Sequence, residues 1–106
     1  MDQQMQAFQI IAKAGDAFSK QMEAISLAGD NQFEKAEELL ESAKEDLNAA
    51  HQVQTDILTA EAQGTPMETT PIIVHAQDHL TKAMMGDFFV REQIKLYKRI
   101  EKLENK

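Results

Sequence analysis

Apolar residues recur at steps of three or four along most of this chain, and the pattern is interrupted at Gly29-Asp30 and again at Gly64-Thr65-Pro66. Such spacing puts side chains on one face of a helix. The sequence therefore predicts three helices, over about 2–28, 32–63 and 71–104. In the first the expected stripe is Met5, Phe8, Ile11, Gly15, Phe18, Met22 and Ile25. In the second it is Phe33, Ala36, Leu40, Ala43, Leu47, Ala50 and Ile57, with Gln54 as a polar exception. Asn31 followed by Glu34 has the spacing of a capping box for the second helix. Thr70 suits the N-cap of the third, and Pro71 its first position, where a missing N–H goes unnoticed. Short connections make successive helices antiparallel. The expected architecture is all-α, an up-down-up three-helix bundle in one domain, forming a rod of roughly 45 Å.

The third helix carries more apolar surface than one core needs. One stripe is Ile73, Ala76, Leu80, Ala83, Val90, Ile94 and Tyr97. A second is Val74, Met85, Phe88, Leu96 and Leu103, continuing through Asp78, Thr81 and Glu92. Only one can face the subunit's own core. A second subunit covering the other is the economical solution, in a parallel seam about a symmetry axis. Asp78 interrupts that seam. Carboxylates brought together at an axis need protons or a counter-cation, and a shared hard cation such as Mg²⁺ would answer. The alternative is that Asp78 points outward at the edge of the stripe.

Composition narrows the function. The 106 residues include 42% apolar and 27% charged side chains, with two prolines and four glycines, as expected of a globular protein built from long helices. With no cysteine, thiolate and disulfide chemistry is excluded. The formal net charge of −7 argues against nucleic-acid binding. The basic residues from Lys95 to Lys102 complement a helix C-terminus. No apolar run is long enough to span a membrane, and Asp2-Gln3-Gln4-Met5 lacks the features of a signal peptide, so the expected location is cytoplasmic.

Three histidines remain as candidate chemistry: His51, His75 and His79. His75 and His79 are four apart, on one helix face beside Asp78. That spacing can hold zinc, but zinc peptidases place Glu directly after the first His, and here Ala76 stands there. A phosphoryl carrier fits better. Imidazole is a nucleophile near neutral pH. In the second turn of its helix, His75 leans toward first-turn N–H groups that favour a phosphate. An adaptor bundle with incidental histidines, or a metal-binding bundle using His75 and His79, are the rival readings.

The segment Ile72-Ile73-Val74-His75-Ala76-Gln77-Asp78-His79-Leu80 resembles the active-site signature of the lactose/cellobiose-specific IIA family of bacterial sugar phosphotransferase systems. Ala14-Gly15-Asp16-Ala17-Phe18-Ser19 and Ala50-His51-Gln52-Val53-Gln54-Thr55 are similar to that family's first- and second-helix segments. An Arg is common in the family where Phe18 stands, and a Met where Thr81 stands. The resemblance implies a homotrimer of three-helix bundles, phosphorylated at His75 Nε2. It implies a divalent metal bound by Asp78 and shared at the threefold axis, with Gln77 and His79 as groove candidates. It also implies phospho-HPr as donor, a IIB component as acceptor and a IIC permease as the membrane element. The Val-Gln after His51 and the Val before His75 look closer to cellobiose and chitobiose members than to lactose members.

Overall fold

The computed structural model describes residues 2–106, as three helices: α1 (Gln3–Gly29), α2 (Phe33–Ala62) and α3 (Pro71–Glu104). Each starts or stops for a local reason. The Asp2 carboxylate caps α1, accepting from Met5 N at 2.8 Å. Thr70 Oγ1 accepts from Ile73 N at 3.4 Å, with Pro71 at the first turn of α3. The C-termini of α1 and α2 share one solution. Asn31 N donates to Ala28 O and Gln32 N to Leu27 O; Gly64 N donates to Glu61 O and Thr65 N to Ala60 O. These are Schellman motifs, and they need a left-handed residue, supplied by Asn31 (φ 64°) and Gly64 (φ 98°).

That use of Asn31 corrects one sequence expectation. The residue at the N-cap of α2 is Gln32, which makes no side-chain cap bond. Asn31 is committed to closing α1 and cannot also open α2, so the Asn31–Glu34 capping box does not form.

Contacts along the helices give their directions. Gln3 meets Pro66 and Glu68, Phe18 meets Lys82 and Gly29 meets Tyr97, so α1 and α3 run parallel. Glu37 meets Lys98, Lys44 meets Asp87 and Gln54 meets Gln77, so α2 runs against α3. Helix α1 packs extensively on both others, whereas α2 and α3 touch each other far less. The bundle measures 61 × 20 × 19 Å, longer than the expected rod because α3 has 34 residues and overhangs the end of α1.

The buried faces of α2 and α3 are the ones their spacing predicts, with Phe33 and Tyr97 half-buried at the ends. That of α1 is not. Its buried residues are Ala7, Ile10, Ala14, Ala17, Gln21, Ala24 and Ala28, whereas Met5, Phe8 and Met22 of the expected stripe are exposed. The reason is steric. Alanine faces let α1 approach two helices at once, and the larger residues beside them turn toward α3 and solvent. One polar group is enclosed: Gln21 is fully buried, its Nε2 donating to Ala83 O at 2.8 Å, and its Oε1 lies where a Cβ on Gly86 would be only 2.2 Å away.

Ion pairs tie the periphery, including Lys20 to Asp46 at 2.6 Å and Lys44 and Arg91 to Asp87. Partly exposed pairs of this kind contribute little. Apolar burial dominates. Leu40, 1% exposed, is among the largest enclosed side chains, so Leu40→Ala is expected to lower the free energy of unfolding by about 3 kcal/mol in urea denaturation. A loss under ~1 kcal/mol would mean that this part of the core closes over the gap.

Candidate functional site

The Thr70 cap and Pro71 fix the start of α3, and this places the two histidines. His75 is exposed in the second turn, and His79 is half-buried one turn on, at the edge of α3 that meets α1. Their Nε2 atoms are 3.0 Å apart, with ring centroids at 4.5 Å and planes nearly perpendicular. A contact that short between two imidazole nitrogens requires one N–H and one lone pair.

Burial decides which ring donates. His79 Nδ1 is enclosed and has no hydrogen-bond partner. A buried N–H without an acceptor is the costlier orphan, so the His79 proton belongs on Nε2, pointing at His75. His75 Nε2 then presents its lone pair. Burial pushes His79 below its ordinary value of 6.5; the charges of Lys82 and His75 add to the effect, and Asp78 opposes it. His79 therefore stays a neutral donor near neutral pH.

The other candidates are placed apart from this pair. Gln77 turns away, about 160° round the helix, where its Nε2 donates to Gln54 Oε1 at 2.6 Å. It joins α3 to α2 and does not share the His75 edge within one chain. Gln54, the polar exception of the α2 stripe, is its partner. His51 is exposed on α2. Asp78 is exposed, without an ion-pair or hydrogen-bond partner among the described residues, and lies on the outer apolar stripe between Val74 and Met85. Among the described residues no three His, Asp or Glu side chains gather to hold a metal within the chain. Two residues escaped the sequence reading: Lys82, whose ammonium lies 4.5 Å from the centroid of the Phe18 ring, and buried Gln21.

Residues 5–98 match the family model described as "PTS system, Lactose/Cellobiose specific IIA subunit". The chain belongs to the lactose/cellobiose-specific IIA family. It is thus a IIA component of a sugar phosphotransferase system, and so a phosphoryl carrier within one. Relatives of this IIA chain include the lactose-specific EIIA component of Lacticaseibacillus casei, 43% identical over 96% of this chain and 91% of that one. The lichenan-specific phosphotransferase enzyme IIA component of Bacillus subtilis is also 43% identical, over 88% of this chain and 84% of its own length. The crystal structure of the cellobiose-specific enzyme IIA from Bacillus anthracis superposes with a TM-score of 0.91 at 37% identity, covering 95% and 94% of the two chains. Among the described residues, no helix of this IIA chain is long and apolar enough to cross a membrane.

The buried imidazole makes a prediction about pH. A base whose folded value is lowered binds fewer protons than in the unfolded chain, so its contribution to stability falls as pH drops below about 6.5. In NMR titration the His79 ring should have its midpoint below 6.5. Urea unfolding of His79→Gln should lose less stability than the wild type between neutral pH and about pH 5. A midpoint at or above 6.5 would contradict the enclosed, neutral imidazole.

Proposed function

We propose that this IIA component carries the phosphoryl group on His75 Nε2, accepting it from phospho-HPr and passing it to a IIB component during uptake of a disaccharide. The observation that carries the reading is the 3.0 Å contact between His75 and His79. It fixes the tautomer of an exposed imidazole, with the His75 Nε2 lone pair held by the His79 N–H until an incoming phosphoryl group displaces that hydrogen bond. In the transfer, the Nε2 lone pair forms the new N–P bond as the donor's N–P bond breaks, and the leaving electron pair returns to the donor nitrogen. The His79 N–H is then placed to donate to a phosphoryl oxygen. The transition state of such transfers is loose, so positioning and electrostatics supply most of the acceleration. Exposure of His75 suits two partners that dock in turn through modest, transient interfaces.

Of the possible sugars, the residues around His51 and His75 favour cellobiose or chitobiose. The relatives' names cover lactose, lichenan and cellobiose. The permease partner would be a IIC component, and the site of action cytoplasmic.

The working unit in this proposal is a homotrimer. On α3, Phe88 is 63% exposed, Leu96 56%, Met85 53% and Val74 49%, a row that a single chain leaves in water. Three such rows around an axis would cover one another and bring three Asp78 carboxylates together. Among the described residues each chain brings a single carboxylate, that of Asp78, to this part of the row, a donor set that suits a divalent cation such as Mg²⁺ only when three copies share it. The cation would offset the repulsion between the carboxylates.

Two experiments test these readings. Incubation with phosphoenolpyruvate, enzyme I and HPr, followed by intact mass, should show a gain of one phosphoryl group. The label should vanish in His75→Gln, persist more slowly in His79→Gln, and be lost in mild acid but not in alkali. A label that survives His75→Gln, or one stable in acid, would overturn the assignment. Sedimentation addresses the seam. The wild type should be a trimer that weakens in chelator, while Asp78→Leu stays trimeric and ignores chelator, since buried ion clusters often exchange neutrally for packed apolar groups. A chain that is monomeric at every concentration would remove the trimer. One indifferent to both treatments would remove the shared metal.

A further inference from the structure

Lys82 is one of five cations, with Lys35, Arg99, Lys102 and Lys106, that lie in no ion pair among the described residues, and the one of the five that sits on the histidine edge of α3. Lys13, Lys20, Lys44, Arg91, Lys95 and Lys98 each lie within ion-pair distance of a carboxylate. Lys82 has no such partner among the described residues, although Asp78 lies four positions before it. Its ammonium sits instead over the Phe18 ring, 4.5 Å from the centroid. An aromatic face attracts a cation electrostatically without using up its hydrogen-bond donors. The ring is itself held in place. Its Cδ1 packs against Gly86, 3.5 Å from where a Cβ would stand.

The position of Lys82 gives this ammonium a target. His75, His79 and Lys82 follow one another at spacings of four and three, so they stack along one edge of α3, the edge that meets α1. Helix side chains lean toward the N-terminus, which inclines the Lys82 arm back toward the histidines. The parallel run of α1 beside α3 puts Gly15 roughly level with His79. A Cβ at Gly15 would meet nothing within 4 Å, so α1 leaves the groove open there. A phosphoryl group approaching this edge meets a chain of net charge −7, with Asp78 exposed beside the pair. An unpaired cation on the same edge is what such an anion requires.

We propose that Lys82 is the anion-binding arm of the site, held over Phe18 and closing on the phosphoryl oxygens when the group is on His75 Nε2. The proposal rests on the carrier reading above. Lys82 neither gains nor loses a proton in the transfer. The bonds made and broken are those already described, and the ammonium offsets charge on the oxygens throughout.

The test uses phosphoramidate, a small donor that needs no protein partner; its N–P bond breaks and ammonia departs as His75 is labelled. The full chain and its K82M and K82R variants would be followed by intact mass with the labelled residue mapped, and the phosphoryl resonance then titrated by ³¹P NMR. Because Lys82 is exposed, both variants should fold, which circular dichroism checks. Labelling of K82M should be about tenfold slower than wild type and that of K82R within about threefold. The phosphoryl group should also ionise at higher pH in K82M. Equal rates and equal midpoints in wild type and K82M would overturn the role of Lys82 while leaving the carrier intact. Failure of the wild type to take label on His75 would overturn the carrier reading, and this proposal with it.

Discussion

Close approach of α1 to both of its neighbours is the constraint on which this molecule depends. The inner face of α1 is nearly all alanine, and it shares its buried clusters with Ala36, Ala43 and Ala50 of α2 and Ala76 and Ala83 of α3. Small side chains at a contact bring helix axes toward the short end of the usual 8–10 Å range. The large aliphatic groups of the core come mostly from the other two helices, Leu40, Leu47 and Ile57 of α2 and Ile73, Leu80, Val90 and Ile94 of α3, with Ile10 alone from α1. The bulky apolar residues that remain must go outside, where Met5, Phe8 and Met22 of α1 and the outer row of α3 are found.

The same constraint positions the chemistry. On the edge of α3 beside α1, the Nδ1 side of the His79 ring is enclosed while its Nε2 side reaches His75. That asymmetry settles which imidazole donates and which keeps its lone pair. The weak contact between α2 and α3 has a different result: Gln77 and Gln54 bridge the gap with side chains where backbones do not meet.

Much of this was legible in the sequence, and the failures have physical causes. The stripes of α2 and α3 combine large and small residues on one face, so spacing alone identified their cores. On α1 the alanine row and the bulky row lie side by side, and weighing residues by size selected the outer one. Asn31 fits two roles, and only the chain direction after α1 decides between them. His75 and His79 were readable as neighbours four apart. Which one is buried was not, because burial depends on tertiary packing that spacing along one helix does not encode. Lys82 over Phe18 joins positions far apart in the chain through the register of two parallel helices, which no local pattern encodes.

Gln21 and Gly86 illustrate how such a register couples positions far apart in a sequence. The buried amide fills the space that any side chain at position 86 would claim, and its Nε2 anchors on Ala83 O. A larger residue at 86 meets the amide, while a smaller one at 21 opens a hole against a bare stretch of α3. A change at either position forces the other to adjust, so positions 21 and 86 are energetically coupled. Replacements at these two positions are therefore expected to be non-additive, the effect of one depending on which residue stands at the other.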